Sequence, residues 1–328
     1  MCYNGHSFFE RRNCMDIRSA PMEGLTDAVY RRVHHRLFGG VSKYYIPFVS
    51  PTVHHCFPPR EQRDIAPENN AGVPVVPQIL TRYPEHFLWA AQEMRDRGYD
   101  EVNLNIGCPS GTVTAKGKGA GMLRVPEALR AFLDEIFAHS PLPVSVKTRI
   151  GFAQPEEWGA LLEILRQYPM KELIVHPRVR VQFYKGSVYP EAFRMAAETG
   201  LPLVYNGDLL ELPAGLALQA EYSGMPMMLG RGLLANPALP RQLGGGPGLN
   251  VEELARFHDA LEQEYSRIFP AAQVHCRMRG MMKYVAGCFE RPEKMIKLIA
   301  KTNPGNYHAA LEKLLQAPLR ETPGYYVP

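Results

Sequence analysis

The chain has 328 residues, 45% of them hydrophobic, and a formal net charge of only +4. It is long enough to bury a large core, which excludes disorder as the default, and so small a net charge does not by itself point to a polyanionic partner. Six scattered cysteines (Cys2, Cys14, Cys56, Cys108, Cys276, Cys288) form no CxxC pair and show no zinc spacing, and no apolar run approaches a membrane span. The expectation is a reduced, cytoplasmic protein with no bound metal and no membrane contact.

Residues 1–14 lack the apolar core of a secretory signal and carry no assignment, and Met15 is an alternative start. From there, short β-type runs end in Pro, Gly or Asn breaks and alternate with helical stretches. The runs lie at 17–20, 43–48, 75–79, 101–105, 144–148, 172–176, 203–206 and 227–230. Helix-like segments fall at 26–37, 84–97, 126–138, 156–168 and 191–199. Eight βα units within about 225 residues predict a (β/α)8 TIM barrel. A doubly wound sheet is the competing fold, but no GxGxxG follows the first strand. The GGGPGLN run at 244–250 reads as a linker, and 251–328 holds helical stretches (251–268, 273–285, 292–302, 307–316) without a strand. The domain expectation is a catalytic barrel over 15–243, the linker, and a small all-helical domain over 251–328.

In a barrel the chemistry sits at the carboxyl ends of the strands. Strand one ends in Pro21-Met22-Glu23-Gly24, strand three in Gln78, and strand four in Asn105 and Cys108. Strand five ends in Lys147 and Arg149, strand six in His176 and Arg178, strand seven in Asn206-Gly207-Asp208, and strand eight in Gly230-Arg231-Gly232. Each of the last two loops alone is an ordinary tight turn. Together at consecutive strand ends, with Arg231 as a fork, they point to a phosphate site. Lys147, inside the apolar run PVSVKTRI, needs a partner to offset its desolvation, and an anionic ring system is one; the alternatives are a lysine pointing out between helices or one paired with a core carboxylate. A lone histidine such as His176 is more often structural than a ligand.

Cys108 stands in the stretch EVNLNIGCPS, where Val102, Leu104 and Ile106 alternate with Asn103 and Asn105 before a Gly-Cys-Pro turn. A free cysteine usually packs as a small hydrophobe, but its place in an irregular loop argues otherwise. Without a base beside it the thiol is a proton donor, and with His176 beside it a nucleophile. The residues alone leave both open.

The pieces APMEGLTD (20–27), NLNIGCPSGTVTAKGKGAGML (103–123), VSVKTRIG (144–151), VHPR (175–178), NGD and LGRG resemble the tRNA-dihydrouridine synthases over nearly all of the chain from Arg18. That resemblance implies a bound FMN, with NADPH or NADH as electron donor and tRNA as substrate, and no obligate protein partner. It implies that Pro21, Met22 and Glu23 line the flavin, that Gln78 bonds its ring, that Lys147 faces the N1/O2 edge, and that His176 lies beside it. Asn206, Gly207, Asp208, Gly230 and Arg231 would hold the phosphate, and Cys108 would protonate uracil C5 while flavin N5 delivers hydride to C6. Between residues 272 and 301 seven basic residues stand against two acidic ones. Of these, Arg277, Arg279 and Lys283 are expected to contact tRNA, with Asn105, Arg178 and Lys185 near the site mouth. One departure is Val188-Tyr189, where an acidic residue and then a tryptophan are expected. The rival readings are a small-molecule FMN reductase, of the dihydroorotate dehydrogenase or ene-reductase kind, and a tRNA-binding protein without catalysis.

Overall fold

The computed structural model describes residues 15–327; the N-terminal segment 1–14 lies outside the described residues. Eight parallel strands, β1 (Ile17–Ser19), β2 (Lys43–Val49), β3 (Val75–Ile79), β4 (Val102–Ile106), β5 (Val144–Gly151), β6 (Leu173–Val179), β7 (Leu203–Tyr205) and β8 (Met227–Leu229), close in sequence order, with β8 pairing back onto β1. The expected TIM barrel is the fold. Strands covered on both faces read as apolar runs because helices bury one side and the barrel interior the other.

Alternation along the strands sorts the interior into layers. Ala20, Tyr45, Val76, Ile174, Val204 and Met228 form an apolar plug within the barrel. One step towards the amino ends lie Arg18, Lys43, Glu101 and Glu172, and one step towards the carboxyl ends lie Gln78, Asn105, Lys147, His176 and Asn206. The plug therefore separates two polar ends, and a cavity opens at each, walled in part by Lys43 and Glu101 at the amino end and by Asn105 and Lys147 at the carboxyl end.

Two strands, β5 and β6, run three residues past their expected ends. Gly151 still pairs with Val179 after a register shift beyond Arg149, so Arg149 and Arg178 are strand residues rather than loop residues. Helices unmarked by clear periodicity also form, at Leu212–Glu221, Arg231–Ala235 and Leu239–Leu243.

After the barrel come helices Val251–Ser266, Ala271–Val285, Pro292–Ala300 and Tyr307–Leu315. Their buried side chains share one core with the first barrel helix, Ala28–Leu37, through Val29, Tyr30, Val33 and Phe38. Asp27 caps that first helix by accepting from Tyr30 N, and it also accepts from Tyr265 Oη (2.8 Å) and Arg277 Nη1 (2.6 Å) of the later helices. Segment 244–250 is tied down as well. Arg241 forks Glu253 at 2.7 and 2.8 Å and donates to the carbonyls of Pro247 and Gly248.

Candidate active site

Asn105 builds the turn that carries the thiol. Its Oδ1 accepts from the backbone N–H of Gly107 (3.1 Å) and of Cys108 (2.9 Å). A Cβ on Gly107 would lie 3.2–3.3 Å from the backbone of Thr148 and Lys147, so the turn presses against β5. Behind it Gly119, at φ +56°, packs against the Cys108 Cβ, and Ala120 N–H donates to the Cys108 carbonyl. That is what the glycine-rich stretch after the turn does: it supports the cysteine from below.

Gln78 is fully buried and lies one layer behind this turn. Its Oε1 accepts from Asn105 Nδ2 (2.7 Å), its Nε2 donates to Asn103 Oδ1 (2.7 Å), and Asn103 passes the chain on to Ser145 Oγ (2.9 Å). The amide ladder fixes Asn105, and Asn105 fixes Cys108.

Around the thiol the charges are mostly positive. Lys147 has no carboxylate partner among the described residues, and burial pulls its pKa down to about 7, with Arg149 adding to the effect. Arg149 donates to three carbonyls, Gly107 (3.1 Å), Val179 (3.0 Å) and Phe183 (2.6 Å), and so ties the cysteine turn to the loop after β6. Phe183 is held there at φ +52°. The single carboxylate of the deeper recess is Asp208, at φ +40°, which pairs with both Arg178 and Arg231.

His176 bears on the protonation of the thiol. Arg178 Nη1 lies 3.3 Å from His176 Nε2, and a guanidinium can only donate, so Nε2 is the acceptor and the hydrogen of the neutral ring is on Nδ1. Burial, followed by Arg149, Lys147 and other cations, lowers its pKa well below the ordinary histidine value. The ring has no free lone pair for a cysteine proton. Burial likewise pushes the Cys108 thiol up, against the opposing pull of the Ser110 backbone, Arg149 and Lys147. Cys108 therefore stands as a protonated thiol at neutral pH.

The cleft over these groups encloses about 480 Å³ and brings together Pro21, Met22, Glu23, Asn105, Cys108, Lys147 and His176. It continues into a recess of about 80 Å³ walled by Asn206, Gly207, Asp208, Gly230 and Arg231. Val188 packs 3.2 Å from where a Cβ on Gly207 would stand, which puts the departure at 188–189 against a residue of the recess wall.

Several expected RNA-contacting residues are placed otherwise. Arg178 is buried and engaged with Asp208, Gly186 O and His176. Asn105 spends its Oδ1 on the turn and its Nδ2 on Gln78. Arg277 pairs with Asp27 and stacks on Phe269 at 4.2 Å, and Arg279 donates to Thr302 O. Lys283 and Lys185 are exposed. The cleft walls Phe183 and Tyr284 were not singled out from sequence, since tyrosine and phenylalanine in loops and helices carry no local mark of a site, whereas Tyr184 stands in the Tyr184-Lys185-Gly186 piece that the family resemblance covers.

The family model described as "Dihydrouridine synthase (Dus)" matches residues 18–320. The chain is 30% identical over 257 residues to the probable tRNA-dihydrouridine synthase 2 of Bacillus subtilis, covering 76% of this chain and 78% of that protein. It is 30% identical over 296 residues to the probable tRNA-dihydrouridine synthase 1 of Synechocystis, covering 88% and 79%. With the tRNA-dihydrouridine(16) synthase of Aquipseudomonas alcaligenes it shares 33% over 241 residues, covering 70% and 75%. Among solved structures, a 2-naphthoyl-CoA reductase superposes with a TM-score of 0.53 at 12% identity, covering 71% of this chain and 50% of that one, a likeness of barrel fold alone. Because the match runs from the first strand through the last helix and includes the turn that holds Cys108, the chain belongs to the dihydrouridine synthase family.

Proposed function

We propose that this protein reduces the C5=C6 bond of a uridine in tRNA to 5,6-dihydrouridine, using FMN recharged by NADPH or NADH, with Cys108 as the general acid. The observation that carries the reading is the Cys108 thiol itself: half-buried at the cleft, raised in pKa by burial, and sharing that cleft with a His176 whose Nε2 already accepts from Arg178.

The residues present fit FMN. The open cleft narrows to a recess of glycines with Arg231, suited to a phosphate monoester, and Lys147 lines both as a buried amine without a carboxylate partner among the described residues, whose charged form an anionic ligand would favour. Lys147, His176 and Met22 would hold the ring, and Asn206, Gly207, Gly230 and Arg231 the phosphate. Asp208 would act through its backbone and by orienting Arg178 and Arg231, because its carboxylate would repel a phosphate. When bound, the flavin supplies the hydride for uracil C6. The chain's own part is to hold the base against the cleft walls Tyr184 and Tyr284, keep His176 a hydrogen-bond donor at Nδ1, and release the Cys108 proton to C5.

A base inside a folded RNA must leave its stack to reach this depth, so a cationic surface has to grip the surrounding tRNA. Lys283, Arg291, Lys294, Lys297 and Lys301 are exposed and have no acidic partner among the described residues. They form the proposed docking face in place of Arg277 and Arg279. A groove of about 410 Å³ walled by Lys283, Lys297, Glu293, Tyr284 and Tyr325 lies beside the cleft, with Tyr284 common to both. A reductase of small molecules has no use for such a surface.

Cys108→Ala tests the proposal. Bound flavin, NADPH oxidation and tRNA binding should persist while dihydrouridine formation falls by about 10²–10⁴-fold. The rate of the unaltered enzyme should hold through neutral pH and fall as pH rises through the thiol's raised pKa. Near-normal turnover by the variant would rule out the acid role.

A further inference from the structure

Residues 321–327 lie beyond the family match, which ends at 320, yet they return from the helical region to the barrel mouth. Arg320 N–H donates to Cys288 O, Asn236 Nδ2 donates to Pro323 O (3.1 Å), and Tyr325 N–H donates to Leu210 O (2.9 Å) in the loop after β7. At Gly324 the fit allows no side chain. A Cβ there would stand 2.5 Å from Leu210 O and 2.7 Å from Glu211 Cβ. Leu210 and Asp208 of that same loop wall the recess.

The Tyr325 ring lies 5.1 Å from the Arg231 guanidinium, and Tyr184 stands 4.9 Å from it. Asp208 Oδ1 accepts from Arg231 Nη2 at 2.7 Å. Two rings and a carboxylate thus confine a side chain that would otherwise sample many rotamers, and the confinement lowers the ordering cost of binding an anion.

We propose that the C-terminal tail is a positioning element of the anion recess: Gly324 docks it onto the loop after β7, and Tyr325 holds Arg231 aimed at the phosphate of the cofactor. The inference rests on the reading of the recess as a phosphate site. It adds that a segment outside the family match sets how firmly the phosphate is kept.

Apoprotein titrated with FMN and, separately, with riboflavin tests it, by flavin fluorescence. Tyr325→Ala should weaken FMN by about tenfold and leave riboflavin unchanged, because only FMN carries the phosphate. Tyr325→Phe should restore FMN binding, since the ring and not the hydroxyl faces Arg231. Gly324→Val should reproduce the selective loss by lifting the tail from Leu210. Unaltered FMN affinity in Tyr325→Ala, or an equal loss for both flavins, would overturn the inference. If the unaltered protein binds neither flavin, it is the phosphate-site reading that fails.

Discussion

The two ends of the barrel handle charge in opposite ways. At the amino end Arg18, Lys43 and Lys171 meet Asp16, Glu101 and Glu172. Lys43 Nζ donates to Glu101 (2.9 Å) and Glu172 (2.7 Å), Arg18 to Glu172 (2.8 Å), Lys171 to Glu101 (3.0 Å), and Tyr45 Oη caps the other Glu172 oxygen. At the carboxyl end Lys147, Arg149, Arg178 and Arg231 crowd around His176 with Asp208 as the carboxylate that two of them share. Both ends lie against the same apolar plug, so depth alone does not explain the difference. A paired network adds strength, while cations left without partners keep a standing cost that an anionic ligand can remove.

The largest effect separating the two ends should come from Glu172→Gln. Burial raises the carboxyl's pKa, but Lys43 and Arg18 more than offset this and hold it below the ordinary range. Removing it leaves two cations short of a partner and should cost about 3–5 kcal/mol of stability, read from the urea midpoint at neutral pH. A carboxylate with a depressed folded pKa stabilises above its unfolded pKa and loses that contribution as pH falls through the folded one. The gap between the two proteins should therefore close in acid.

At the other end Lys147→Met should change the pH dependence of stability more than its size. With a folded pKa of about 7 against an ordinary 10.5, the folded apoprotein has shed a proton that the unfolded chain keeps. Stability therefore rises with pH across that window, and the variant should lose about one proton's worth of slope. Chemical denaturation of apoprotein at several pH values measures it, and an unchanged slope would mean the lysine titrates normally.

The smallest effect should come from outside the barrel. Lys283→Glu with Lys297→Glu should weaken tRNA binding and lower its salt dependence by about one unit of slope per lost phosphate contact. Binding isotherms at several salt concentrations would show this, and unaltered affinity would remove the helical face from the docking surface.

Sequence made the barrel legible because all eight strands keep β-type runs punctuated by turn residues. It could not mark the ends of β5 and β6, where a register shift at Arg149 prolongs the pairing past the apolar run. In the site, Cys108, Lys147 and the NGD and GRG loops stand in motifs whose residues are adjacent. What stayed hidden depends on partners distant in the chain. Arg178 and Arg277 count as surface charge until Asp208 and Asp27 are seen to hold them, and only through folding does Tyr284 come to line the cleft and Tyr325 to face Arg231.

The core shared by helix Ala28–Leu37 and the C-terminal helices bears on how such an enzyme can change its target. Separating the two regions would lay bare Val29, Tyr30, Val33 and Phe38 and break the Asp27–Arg277 pair, so the shared core resists a change of angle between the cleft and the proposed docking face. Retargeting to a different uridine must then come from redrawing charges on the outer helices rather than from swinging one region against the other.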